Sequence, residues 1–248
     1  MAFSDTTQDI FLKGRLTLEQ PKQGFRSGSD AVLLAAAAAP FQFKNAIEAG
    51  CGAGAALLSV ATLSGGRQGR LSGLEKEPDM VELARKNVLA NGFEAGIDIH
   101  QGDVLTPAPR LAGQFDLVFS NPPFFDDNGA IRDPAPQRQA AHVLGAPLEA
   151  WIKGMLELAA PKARLVIIHR AERLPDNLEA LRWRAGDIGV CPVRSRPGEV
   201  AKRVIVSALK GSRAPMRLLP GIDMHPANGE GRFSASYEAI CNGGMLAV

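Results

Sequence analysis

Cysteine is scarce in this chain, and its distribution removes two classes of protein. Cys51, Cys191 and Cys241 are widely separated and form no CxxC pair, so neither a disulfide framework nor a zinc site is indicated. Histidine is equally thin. His100, His142, His169 and His225 show no metal-ligand spacing, and each reads as a surface or strand-end residue. Asp126 and Asp127 are adjacent acids without the further ligands a cation needs, and read as a solvated loop. No metal is expected. No apolar run approaches the roughly 20 residues of a membrane helix; the longest, residues 31–39, is short and alanine-rich. The opening residues carry Asp5 and Asp9 and no hydrophobic segment, which is not the pattern of a signal peptide. These absences point to a cytoplasmic protein with no membrane partner.

A strong overall charge is missing too, since the formal net charge is only +2. The balance is nevertheless uneven. Residues 162–217 hold 13 Lys and Arg against 5 Asp and Glu. That excess suits a polyanionic partner as well as it suits a solvated basic face. What remains, 46% hydrophobic and 22% charged residues in a chain of 248, is ordinary globular composition with enough length for a sizeable core.

Strand and helix signals alternate through the middle of the chain, the pattern of a parallel sheet covered by helices. Residues 46–49 are a first strand, and a glycine loop at 50–54 feeds an apolar helix over 55–63. Residues 71–74 are a second strand ending at Glu75. Pro78 opens the next helix at its favoured first position, with Asn91-Gly92 closing it. A third strand, 97–101, ends at Gly102-Asp103, and a fourth covers 115–119. Residues 125–147 form a Pro-, Asp-, Gly- and Ala-rich loop, of a length uncommon in compact domains unless it binds something or is disordered. A helix over 148–159, a strand over 164–169, a helix from Asp176 to Arg184 and two closing strands at 189–193 and 203–209 follow. Before the first strand, residues 11–20 read as a strand entering a hairpin at Pro21-Lys22-Gln23-Gly24. Ser27-Gly28-Ser29-Asp30 then caps a helix that Pro40 stops. The expected division is 1–43 as an N-terminal extension and lid, 44–210 as the main domain, and 211–248 as a C-terminal extension without an assignable pattern.

The fourth strand delivers Ser120-Asn121-Pro122-Pro123-Phe124. Proline fixes its own φ and pushes the residue before it out of the α region, so Asn121 and Pro122 are both held extended. The Asn121 side-chain oxygen and the Pro122 carbonyl then converge beside an aromatic face. Two acceptors over a flat apolar surface suit a planar group carrying an NH2, either the amino edge of adenine or a primary amide.

Ligands of open α/β sheets bind beyond the carboxyl ends of the strands, where strand order reverses. Residues 48–54, Glu75, Asp103 and Asn121 all fall at such ends. The glycines let backbone approach a ligand closely, and the helix that follows presents its N-terminal NH groups. Glu75, about twenty residues past the loop, is placed to accept from ribose hydroxyls, and Asp103 to accept from an adenine amine. The loop alone does not separate NAD from another adenosine cofactor, which keeps an NAD-dependent oxidoreductase open. Glu48 tilts the reading, because a carboxylate before the glycines repels a pyrophosphate but attracts the ammonium and sulfonium of S-adenosylmethionine.

With Glu48-Ala-Gly-Cys-Gly-Ala-Gly54, Glu75, Gly102-Asp103 and Asn121 to Phe124, the chain resembles the class I S-adenosylmethionine-dependent methyltransferases that carry an Asn-Pro-Pro-aromatic motif. More narrowly, Gln20-Pro-Lys-Gln-Gly-Phe-Arg-Ser-Gly-Ser-Asp-Ala-Val-Leu-Leu34 and Ala135-Pro-Gln-Arg-Gln-Ala-Ala141 look like the bacterial tRNA1(Val) adenine-37 N6-methyltransferase group. The resemblance implies a Rossmann-like α/β fold, with a central seven-stranded, mostly parallel sheet flanked by helices and a small N-terminal hairpin and helix. It implies that Glu48, Gly50, Cys51, Gly52, Gly54, Glu75, Lys76, Asp103, Val104 and Asn121 hold S-adenosyl-L-methionine, with Asp30 near the pocket. Asn121, Pro122 and Phe124 would hold a target base. An RNA partner, a tRNA, would meet the basic C-terminal half through residues such as Arg194, Arg196, Lys202 and Arg203. The same acceptors suit a protein glutamine, so N5-methylation of glutamine stays open, as does a non-catalytic RNA-binding module. Residues 210–248 are extra to the smaller members of that group.

Overall fold

The computed structural model describes residues 5–24, 26–65, 69–123, 148–227 and 231–248. From Asn45 onward strands and helices alternate as the sequence pattern requires. The order is β3 (Asn45–Ala49), α2 (Ala55–Ser64), β4 (Arg70–Glu75), α3 (Pro78–Ala90), β5 (Ile97–Gln101), β6 (Phe115–Ser120), α4 (Leu148–Leu158), β7 (Ala159–Arg170), α5 (Leu174–Leu181), β8 (Ala185–Arg194) and β9 (Arg203–Lys210). These seven strands lie side by side as β8-β9-β7-β6-β3-β4-β5. All neighbours are parallel except at β9, which runs antiparallel to both β7 and β8. The expected seven-stranded, mostly parallel sheet is therefore present. Two two-residue strands, β10 (Arg217–Leu218) and β11 (Ile222–Asp223), add to β8 in parallel and bring the sheet to nine.

The chain moves outward from β3 to β4 and β5, then returns to place β6 on the other side of β3. Strand order thus reverses between β3 and β6, where Glu48 stands beside Phe119. That is the position at which an open sheet leaves a crevice at its carboxyl edge. Alternation along β6 and β7 sends Leu117, Phe119, Val166 and Ile168 into one core with α2 and α3, and Val118, Leu165 and Ile167 into the other with α4 and α5.

The alanine run forms α1 (Ser29–Ala38), buried on all sides. Small side chains let it pack against α2 while also touching β6 and β7. Its N-cap is Gly28, within the expected stretch 27–30, and no side chain caps it. The Asp30 carboxylate instead accepts from Arg203 Nε at 2.9 Å, a charge-assisted bond that outweighs a cap.

The N-terminal hairpin differs from the sequence expectation. β1 (Thr6–Phe11) and β2 (Leu16–Pro21) are joined at Leu12–Gly14, not at residues 21–24. Lys13 and Gly14 take left-handed φ values of 51° and 92°, and Pro21 sits at the end of a two-stranded sheet, where a missing N–H is tolerated.

The unassigned tail has structure. After β10 and β11, Ser234 caps α6 (Ala235–Cys241), accepting from Tyr237 N at 3.1 Å, and the helix lies on α1. Lys13 pairs with Glu238 at 2.7 Å, so the end of the chain is tied to its beginning. Among the described residues no helix is long and apolar enough to cross a membrane.

Candidate active site

At the end of β3 the chain turns back sharply. Gly50 and Cys51 both donate to the Leu74 carbonyl, at 2.8 and 3.0 Å, and Gly54 donates to Cys51 at 2.8 Å. Gly50, at φ 74°, lies under the indole of Trp151: a Cβ there would be 2.6 Å from Cζ2. The position therefore demands glycine twice, by conformation and by space. Glu48, 3% exposed, accepts from Leu57 N in the first turn of α2 at 2.7 Å. Burial drives its pKa well above the usual carboxylate range, against the pull of that hydrogen bond, and the nearby Glu75 adds to the rise. Cys51 is buried in the same loop, and burial pushes its thiol up in the same way.

Glu75 ends β4 as a carboxylate held by backbone. Oε2 accepts from Gly52 N at 2.8 Å, and Oε1 from Lys76 N at 2.8 Å and Glu77 N at 2.9 Å. Burial raises its pKa, and those three donors oppose the shift. Among the described residues it is in no ion pair that would occupy it otherwise; the cation beside it, Lys76, pairs with Asp103 at 3.0 Å. Asp103 also accepts from Leu105 N at 2.9 Å, and this closes the loop after β5. Val104 is buried there because α4 approaches closely: a side chain at Gly154 would meet its carbonyl.

The fourth feature is the end of β6. Ser120 is buried; its Oγ donates to the Ala49 carbonyl at 2.6 Å and accepts from Trp151 Nε1 at 3.0 Å. One indole thus packs on the glycine loop and pins the strand beside it. Asn121 follows, and its Oδ1 is buried with no hydrogen-bond partner among the described residues. An orphaned amide acceptor costs about 1 to 3 kcal/mol, so a donor supplied from outside would be strongly favoured there. Pro122 is buried and Pro123 half-buried; Phe124, expected as the stacking ring, lies outside the described residues, as do residues 135–141.

The structure thus brings Glu48, Gly50, Cys51, Gly52, Gly54, Glu75 and Asn121 to the carboxyl ends of neighbouring strands, with the Lys76–Asp103 pair on the β5 side. Asp30 stands at the same end of the sheet but against β9, held by Arg203. Of the basic residues, Arg194 is bound to Asp223 at 2.5 Å and Arg203 to Asp30, while Arg196 and Lys202 are exposed. Among the described residues no group of His, Cys, Asp and Glu could hold a metal ion. Sequence reasoning gave no such role to Ser120, Trp151 or His169, because each acquires its partner only from a distant element. It missed Asn87 on α3 for the same reason: 1% exposed, it accepts from Glu19 N and donates to the carbonyls of Glu19 and Ala53, joining β2 to the glycine loop.

Known proteins share both sequence and fold with the chain. A family model described as a methyltransferase domain matches residues 42–188. A tRNA1(Val) (adenine(37)-N6)-methyltransferase of Porphyromonas gingivalis is 34% identical over 232 residues, covering 89% of each chain. Among solved structures, a predicted O-methyltransferase from Agrobacterium tumefaciens superposes with a TM-score of 0.73 at 26% identity, over 88% of this chain and 99% of that one. TYW2 of M. jannaschii, solved in complex with AdoMet, shares the fold at a TM-score of 0.57 and 11% identity, over 84% and 86%.

Proposed function

Because the chain belongs to the S-adenosylmethionine-dependent methyltransferases, we propose that its methyl acceptor is the exocyclic N6 of an adenine in RNA, an anticodon-loop adenine of a tRNA. The observation that carries this reading is the Oδ1 of Asn121 at the switch point, buried and without a hydrogen-bond partner among the described residues. The names of the relatives divide between oxygen and nitrogen acceptors. A hydroxyl offers one hydrogen, whereas an NH2 offers two, and Asn121 followed by the Pro122 carbonyl supplies two acceptors.

The residues present fit the cofactor. Glu48 and the first turn of α2 would face its methionine end, the Cβ-free loop would admit its body, and Glu75 has acceptor capacity left on Oε2 for a ribose hydroxyl. Asp103 would take the adenine amine, for which exposed Lys76 gives way cheaply. When bound, the cofactor supplies a methyl group on a sulfonium. Everything else is work for the chain. The N6 lone pair is delocalised into the adenine ring and reacts poorly. With its two hydrogens accepted by Asn121 and Pro122, the nitrogen is held with its remaining lobe pointed toward the cofactor. Orientation of this kind supplies up to roughly 7 to 11 kcal/mol in favourable systems. No strong base is needed beforehand, because the proton becomes acidic once nitrogen carries a fourth substituent. It then leaves through the Asn121 side or to water.

A base in an anticodon loop is already unpaired, so presenting it costs little. Arg196 and Lys202, exposed at the same end of the sheet, would contact phosphates, which implies marked salt dependence. The test is transfer of labelled methyl to bulk tRNA against ribosomal-protein and release-factor fractions, followed by nucleoside digestion. Label in N6-methyladenosine is expected. Label in glutamine or in another nucleoside overturns the assignment.

A further inference from the structure

His169 is the last but one residue of β7 and is 2% exposed. β6 and β7 run parallel with Ser120 opposite Ile167, so two residues further on His169 draws level with Pro122. Alternation along β7 puts it on the α4–α5 side with Leu165 and Ile167, the side opposite Phe119. The Pro123 carbonyl lies close enough to the ring to favour its charged form. Burial, reinforced by Arg173, Arg170 and Arg203, lowers its pKa to about 4, against the pull of that carbonyl. At neutral pH the imidazole is uncharged and can give one N–H.

Two groups therefore stand beside the same turn. Trp151 holds Ser120, at its start, and the His169 ring lies near the Pro123 carbonyl, at its end. Between them lie the two oxygens assigned to the acceptor nitrogen. Proline 122 and 123 donate no backbone N–H, so the turn cannot fix itself by its own hydrogen bonds.

We propose that His169 is a positioning residue: by donating to the Pro123 carbonyl from beneath, it holds Asn121 to Pro123 on the extended path that aims the Asn121 and Pro122 oxygens at one point. Its burial, at 2% exposure, leaves it no access to a substrate as general base. The inference rests on the acceptor reading of Asn121 and adds to it a residue that no motif marks.

The experiment compares His169→Leu, which keeps bulk and removes the donor, with His169→Gln, which restores an N–H of similar reach. Rates are measured on whichever fraction accepts label from the wild-type enzyme, so failure of the adenine assignment is read separately from failure of this one. His169→Leu is expected to lose about 10- to 100-fold in kcat, with the dissociation constant for S-adenosylhomocysteine within about twofold and His169→Gln recovering most of the rate. Amide exchange at Asn121 should quicken in the Leu variant and not in the Gln variant. Unchanged kcat in His169→Leu, or equal loss in both variants with unchanged exchange, overturns the proposal. So does a loss that falls on cofactor affinity alone.

Discussion

The indole of Trp151 fills the space that a side chain at Gly50 would need, with Cζ2 only 2.6 Å from where a Cβ would sit. The same indole donates to Ser120 Oγ at 3.0 Å. A helix that follows β6 in sequence therefore sets the geometry of a loop that follows β3, and the two halves of the crevice are mechanically joined.

Gly50→Ala should consequently damage both halves. It places an L-residue at φ 74° and pushes the indole off Ser120. The left-handed conformation alone costs roughly 1 to 2 kcal/mol, and affinity for S-adenosylhomocysteine should fall about tenfold or more. Trp151→Ala in the same chain removes the clash, so the double variant should bind better than the sum of the single losses predicts. Calorimetric titration of the four proteins measures that coupling; strictly additive losses would refute the joint role.

Much of this crevice could be read without the fold, and the reason is that its chemistry resides in backbone. Left-handed glycines, prolines and acids at strand ends are local signals. Gly52 and Glu75 meet because parallel strands bring consecutive carboxyl ends together, which the strand-helix alternation already implied. The partners of Trp151, Ser120, Asn87 and His169 were not legible. Each works through a partner 31 to 68 residues away or through a neighbouring strand, as with Trp151 to Ser120 and Asn87 to Glu19. The tail was opaque for a related reason. β10 and β11 are two residues each, too short to show periodicity, and exist because β8 offers an open edge.

Asn87 supplies the next prediction. It makes three hydrogen bonds with backbone, at 2.8 to 2.9 Å, in a site 1% exposed. Asn87→Ala leaves those groups buried without their partner, at a cost of roughly 2 to 4 kcal/mol. Urea denaturation should show the loss, and amide exchange in residues 16–21 should speed up ahead of the sheet. Exchange unchanged there would mean that Asn91, which also donates to Thr17, holds the hairpin by itself.

His169 predicts the acid side of the stability profile. Its folded pKa of about 4 lies below the ordinary 6.5, so between those values the unfolded chain binds a proton that the folded one refuses. Its contribution is thus fully present above pH 6.5 and is lost as pH falls toward 4. The slope is at most about 1.4 kcal/mol per pH unit for a single proton. His169→Gln should flatten the unfolding profile across that window. A profile of unaltered slope would assign the acid sensitivity to other groups.

Glu48 ties the cofactor to proton release. Burial raises its pKa well above the carboxylate range, and Glu75, raised as well, leaves a second acid close by. A ligand bearing a sulfonium and an ammonium stabilises the ionised carboxylate, so binding lowers the Glu48 pKa toward its ordinary value and expels the proton it held. Affinity for S-adenosylmethionine should therefore rise with pH up to the pKa of the free protein and level off above it. Titration calorimetry in phosphate and in Tris at one pH should give enthalpies that differ by the heat of transferring the released proton to buffer. Glu48→Gln, which keeps the acceptor for Leu57 N but cannot ionise, should bind more weakly and lose both the pH dependence and the buffer difference. Proton uptake in the wild-type protein would reverse the sign of this linkage, and would mean that the cation settles away from Glu48.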